Sequence, residues 1–162
     1  MKIFKKHFRY TLAKKKEMPS GLWSKCPRCY HLIFNKILQE SLKVCPKCNY
    51  HFALNCYERI ELLSDDGSFT EFYSEMQSQD PLEFMGPKSY KEKLNEEIQA
   101  TGLKEAVIVG EAKIDKKTIA LGVTDSRFIM GSMGSVVGEK LTRIIEHAIE
   151  KKLPVVIVSG SG

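Results

Sequence analysis

The sequence predicts an α/β protein led by a small cysteine-built ribbon. Two observations predict it. Four of the five cysteines lie in "CPRCYHLIFNKILQESLKVCPKC", from Cys26 to Cys48, as two C-P-x-C units with fifteen residues between them. Further on, two β-rich runs, an amphipathic stretch and the apolar run "PVVIVS" follow one another. The order strand, strand, helix, strand implies a right-handed crossover and an α/β layer.

Length and charge set the outer bounds. A chain of 162 residues, 43% hydrophobic and 28% charged, suits one ordinary soluble domain with or without a small module. No apolar run approaches the roughly 20 residues that cross a bilayer, so no membrane is expected as a partner. The start, "MKIFKKHFRYTLAKKKEMPS", is basic and lacks the apolar core of a secretory signal. An amphipathic transit peptide competes with this reading, since Phe4, Phe8 and Leu12 recur every four residues; the expectation is a cytoplasmic protein. Residues 1–50 carry twelve Lys or Arg against two acids, and residues 51–162 carry thirteen against eighteen. A positive head on an acidic body points to two units with different partners. Three segments are expected: a basic arm over 1–21, a ribbon over 22–52 and a larger domain over 53–162.

In the ribbon, each C-x-x-C makes a tight turn that aims two sulfurs at one point. Two such turns close a tetrahedron, the geometry of structural zinc. Pro27 and Pro46 fix φ after the first sulfur of each pair. Lys25, Arg28, Lys43 and Lys47 offset the charge of four thiolates. Iron in a rubredoxin-like site would use the same ligands, and paired disulfides would need an oxidising compartment. The metal ligands expected are Cys26, Cys29, Cys45 and Cys48, with His31 and His51 on the surface or packed. A site filled by four protein ligands has no place for water, so the metal is structural. Cys56 reads as a buried thiol in a helix.

Downstream, Asn55 caps a short helix with Ile60, Leu62 and Leu63 inward, ended by "DDGS". "FYSEMQSQDPLEFMGPKS" reads as an ordered loop. "SYKEKLNEEIQATG" is a helix with Tyr90, Leu94 and Ile98 stacked and Gly102 at its C-terminal cap. Runs at about 106–114 and 118–124 flank the turn "DKK" as a β-hairpin. Gly131, Gly134 and Gly138 surround the start of a helix reaching about Lys152, with Val137, Leu141, Ile144, Ile145, Ala148 and Ile149 on its apolar face. "PVVIVS" reads as a strand buried on both faces. So few strands cover this apolar surface poorly, and the expectation is a truncated protein or half of one. Bare glycines at a helix start let a ligand approach the backbone, and free N–H groups there attract anions. A tight packing turn fits the same glycines. Asp125 and Arg127 follow a strand end, where substrate contact and a structural ion pair both fit.

Taken together, the ribbon, "ERIELLSDDGSF", "DPLEF", "ALGVTDSRFIMGSMGSVVGEKLTR" and "PVVIVSGSG" resemble the beta subunits of bacterial and plastid-type acetyl-CoA carboxylase carboxyltransferase, in an N-terminal portion. The resemblance implies a crotonase-like fold of ββα units, here incomplete, preceded by the four-cysteine zinc ribbon. It implies transfer of a carboxyl group from carboxybiotin on a biotin carboxyl carrier protein to acetyl-CoA, giving malonyl-CoA for fatty-acid synthesis. The implied partner is an alpha subunit, two of each. Gly131, Ser132, Met133 and Gly134 become candidate substrate-binding residues. Gly162 matches the start of an oxyanion turn, whose amides would stabilise a thioester enolate. Removing one such donor typically costs about 3–4 kcal/mol in the transition state. The competing function is a zinc-ribbon nucleic-acid-binding protein, for which Tyr30, His31, Phe34, Tyr50 and Phe52 beside the basic head offer stacking surfaces.

Overall fold

The computed structural model describes residues 21–160. The basic arm before Gly21 and the expected oxyanion residue Gly162 lie outside the described residues. The chain divides between Phe52 and Ala53 into two compact units.

In the first unit, β1 (Trp23–Lys25) pairs antiparallel with β2 (Leu32–Phe34), which runs into the short helix α1 (Asn35–Glu40). The buried residues here are Cys26, Ile33, Leu38 and Cys45, with Tyr50 and Phe52 packed against them. Two of the four buried residues are cysteines, so apolar contact alone makes a very small core. A unit of this size needs a further staple.

The second unit opens with α2 (Cys56–Leu63). Asn55 and Glu58 form a reciprocal cap: the Glu58 amide donates to Asn55 Oδ1 at 2.9 Å and the Asn55 amide to Glu58 Oε2 at 3.1 Å. Ile60 is buried, but Leu62, expected to face inward, is 40% exposed. Two residues along a helix is more than half a turn, so the two cannot share a face. A short strand, β3 (Thr70–Phe72), which no sequence signal marks, ends on the first residue of the segment read as a loop. Helix α3 (Tyr90–Thr101) ends at Gly102, whose φ of 73° closes the last turn.

The hairpin consists of β4 (Val107–Ile114) and β5 (Lys117–Thr124). Its two-residue loop puts Asp115 and Lys116 at φ of 50° and 63°, a turn that usually takes glycine or asparagine. Asp65 compensates, accepting both loop amides at 2.9 and 2.7 Å. Helix α4 (Ser135–Lys151) then leads to β6 (Val155–Val158). The sheet order is β3-β4-β5-β6; β6 is parallel to β5, and the other pairs are antiparallel.

Strands β4 and β5 are buried on both faces, and α2 and α4 both pack on them. Val137, Leu141, Ile144 and Ala148 form the buried stripe of α4. Ile145 and Ile149, expected on that stripe, are 38% and 71% exposed. Each lies one residue beyond a stripe position, and a 100° step carries it to the flank. Nor is β6 buried on both faces: among the described residues it is the sheet's edge, and Val155 and Ile157 are each more than two-fifths exposed. Gly122 lets α4 approach the sheet, since an added Cβ would stand 3.0 Å from Leu141 Cδ2. At Gly110 an added Cβ would collide with the Thr70 carbonyl across the β3–β4 pair. Among the described residues no helix is long and apolar enough to cross a membrane.

Candidate functional site

The two C-P-x-C segments fold into the same turn twice. In the first, the Cys26 amide donates to His31 O and the Tyr30 amide to Cys26 O, both at 2.9 Å. In the second, the Cys45 amide donates to Tyr50 O at 2.8 Å and the Asn49 amide to Cys45 O at 2.9 Å. Tyr30 and Asn49 close the turns with φ of 57° and 56°. The four Sγ atoms lie within 4.8 Å of one another. Cys26 and Cys48 sulfurs are 3.6 Å apart, and those of Cys29 and Cys45 3.7 Å. These distances are far beyond a disulfide bond. They match the edge of roughly 3.8 Å of a tetrahedron whose metal–sulfur bonds are about 2.3 Å. The cluster therefore fits a tetrahedral metal ion. His31 and His51 are exposed and outside it.

Charge explains why the cluster suits a cation. Burial opposes ionisation of Cys26, but the Cys29 and Arg28 amides and neighbouring thiols outweigh it and lower this thiol to about 7. Cys48 is pushed up to about 12, chiefly by burial and then by the other sulfurs. The sulfurs cannot all ionise together unless a cation shares their charge.

In the second unit, the predicted substrate segment links β5 to α4. After Phe128, which is fully buried, Ile129, Met130 and Gly131 take φ of 44°, 55° and 70° in succession. A β-branched residue in the left-handed region is a conformational outlier. Gly131 is buried, whereas Ser132, Met133 and Gly134 are exposed. Gly134 caps α4 with no side-chain bond to the first amides. An added Cβ at Gly134 or Gly138 would meet nothing within 4 Å, so close protein packing does not account for either glycine. Because β5 and β6 are parallel, the end of β5, the start of α4 and the end of β6 share one end of the sheet. Ligands of open α/β sheets bind at such ends. Here the Gly160 amide donates to Thr124 Oγ1 at 2.6 Å.

Behind this end lies a network that the sequence shows only as two charged residues. Asp125 is 2% exposed. Its carboxylate accepts the Cys56 amide at 2.9 Å, the Arg127 amide at 3.0 Å and the Arg127 guanidinium at 2.7–3.2 Å. Burial opposes ionisation of Asp125, but these donors hold it well below the usual carboxylate range. Of the two readings for Asp125 and Arg127, this geometry is that of a structural ion pair. Burial, followed by Asp125, pushes the Cys56 thiol up to about 12. Lys140 is buried with Nζ 3.4 Å from Val107 O, and burial lowers its pKa. No spacing signal marks Lys140 or Thr124 in the sequence.

Comparison with known proteins adds to this geometry. The family model described as the acetyl-CoA carboxylase zinc finger domain matches residues 23–48. The chain is 52% identical over 149 residues to the acetyl-coenzyme A carboxylase carboxyl transferase subunit beta of Carboxydothermus hydrogenoformans, covering 92% of this chain and 52% of that protein. It is 52% identical over 148 residues to the subunit of the same name from Desulforamulus reducens, covering 91% of this chain and 50% of that protein. The chain thus spans about half the length of these curated relatives. Among solved structures, the transcarboxylase 12S crystal structure superposes with a TM-score of 0.54 at 18% identity, covering 78% of this chain and 20% of that one. That likeness is one of fold, the crotonase-like arrangement. By its ribbon and by its identity over most of its length, the chain is similar to the first half of acetyl-CoA carboxylase carboxyl transferase beta subunits.

Proposed function

We propose that the chain works as part of a carboxyltransferase that moves a carboxyl group from carboxybiotin, on a separate carrier protein, to acetyl-CoA. The product would be malonyl-CoA, at the entry to fatty-acid synthesis. The observation that carries this reading is the 52% identity that runs across ribbon and α/β unit alike. In this reading Cys26, Cys29, Cys45 and Cys48 hold one zinc ion, which stabilises the ribbon and takes no part in the reaction. The α/β unit of 53–162 supplies the beginning of the carboxyltransferase domain. Its partners are the biotin carrier and an alpha subunit, two of each subunit, in the cytoplasm.

The chemistry needs little from side chains. Carboxybiotin would release CO2 by breaking its N–C bond, and the biotin anion left behind would take a proton from the acetyl methyl group; negative charge then gathers on the thioester oxygen until the enolate carbon attacks CO2. Preorganised amides stabilise that oxygen. Gly162 is the residue proposed for the start of this turn. Gly131, Ser132, Met133 and Gly134, where no packed neighbour crowds Gly134, are proposed to take the substrate's anionic or acyl portion. The test is a graft. These 162 residues would replace the matching stretch of the Carboxydothermus hydrogenoformans subunit, assembled with its partners. Malonyl-CoA formation within about tenfold of the parent supports the reading; none, with an active parent, refutes it.

The ribbon favours a second partner as well. Trp23 and Tyr30 are 61% and 68% exposed, and Lys25 lies over the Tyr30 ring at 5.1 Å. Stacking rings beside cations suit single-stranded nucleic acid. Affinity for an oligonucleotide that falls steeply with salt, and falls again in Trp23→Ala, would bear this out.

A further inference from the structure

The geometry points to Thr124 as a positioning residue for the reactive turn, an inference that rests on the carboxyltransferase reading. Thr124 ends β5, one position beyond the Val123–Val158 pair that closes the parallel ladder with β6. Its hydroxyl then continues the join by other means. Oγ1 accepts the Gly160 amide at 2.6 Å and lies 3.5 Å from Val158 O, to which it donates. One side-chain oxygen thus holds the chain at Gly160, with a long contact back to Val158 on the other side of Ser159, where the strand gives way to the glycine segment.

Two consequences follow from hydrogen-bond stoichiometry. The Gly160 amide is occupied and is no oxyanion donor; the donors of the proposed turn must come later in the chain. Thr124 also fixes where the chain stands at Gly160, the last described residue before the proposed turn. The contact does not itself require glycine: an added Cβ at Gly160 would lie 3.6 Å from Thr124 Oγ1 and 3.9 Å from Thr124 O, without a clash. The residue is therefore set by the hydroxyl and not by crowding. Thr124 touches no substrate. It acts through the turn, and its loss should slow the chemical step without weakening substrate binding.

Two measurements test this. Amide exchange in the chain itself should show Gly160 protected, about tenfold less so in Thr124→Val or Thr124→Ala, and restored in Thr124→Ser. In the assembled carboxyltransferase, Thr124→Val should lower kcat about tenfold with KM for acetyl-CoA within twofold, and Thr124→Ser should recover most of it. Equal Gly160 exchange in all variants overturns the inference. So does an unchanged kcat in Thr124→Val beside an active unsubstituted enzyme. Absence of carboxyl transfer in the unsubstituted assembly overturns the functional reading itself, and this role with it.

Discussion

Asp125 caps the first turn of α2 from 69 residues away, its carboxylate accepting the Cys56 amide at 2.9 Å. The same carboxylate carries Arg127, and the Asp125 amide donates to Ala106 O at 2.8 Å. One residue therefore joins α2, the start of β4 and the segment leading into α4.

Replacing Asp125 by Ala should cost about 2–4 kcal/mol, because it strands a buried amide and half of an ion pair. Urea unfolding monitored by far-UV circular dichroism measures it. The pH dependence has a definite sign. The folded-state pKa is depressed, so the contribution is complete above about pH 4 and is lost as the pH falls below that. Asp125→Asn should flatten this part of the acid limb; an unchanged limb would show that the carboxylate charge does not matter.

Cys56 gives the opposite limb. Its thiol is pushed up to about 12 in the folded chain, against about 8.5 when unfolded. Stability should decline as the pH rises from about 8.5 towards 12, since only the unfolded chain can release this proton. Cys56→Ala should lessen the decline. In the native protein at pH 8, iodoacetamide should leave Cys56 unmodified, as peptide mass mapping would show.

Trp23 is the single tryptophan and lies in the ribbon, so its fluorescence follows that unit alone. Removing the metal with a strong chelator, or replacing Cys48 by Ser, should shift Trp23 emission to that of an unfolded chain. Protected amides in β4 and β5 should persist. Simultaneous loss of both signals would mean that the α/β unit cannot stand without the ribbon.

The two sheet glycines should differ in their response to one added methyl group. Gly122→Ala presses on the flexible tip of Leu141 and should cost about 1–2 kcal/mol. Gly110→Ala presses on the Thr70 carbonyl, which cannot turn aside, and should cost about 3 kcal/mol. Paired denaturation curves rank them.

Local signals made much of this fold legible. The cap at Asn55, the C-terminal Gly102, the hairpin and the cysteine turns all depend on residues a few positions apart, so their spacing reveals them. Errors arose where the answer depends on distant neighbours. Ile145, Ile149 and Leu62 have the right chemistry for a core, and only the placement of strands and helices decides that they miss it. "VVIV" reads as a central strand by composition, but a strand's rank in a sheet is set by topology. β3 is three residues long and exists because β4 offers it an edge. The metal cluster was fully legible, since four sulfurs at this spacing leave few alternatives. Thr124 and Lys140 were invisible, as one hydroxyl or one amine carries no period.

The outer side of β6 has a colloidal consequence. Among the described residues no strand covers β6, Val155–Val158 contains no charge to discourage a visiting strand, and an apolar margin of this kind is a template for extended chains. Light scattering from the isolated polypeptide should therefore climb with protein concentration. A single Ile157→Lys exchange should keep such solutions clear with little change in melting temperature.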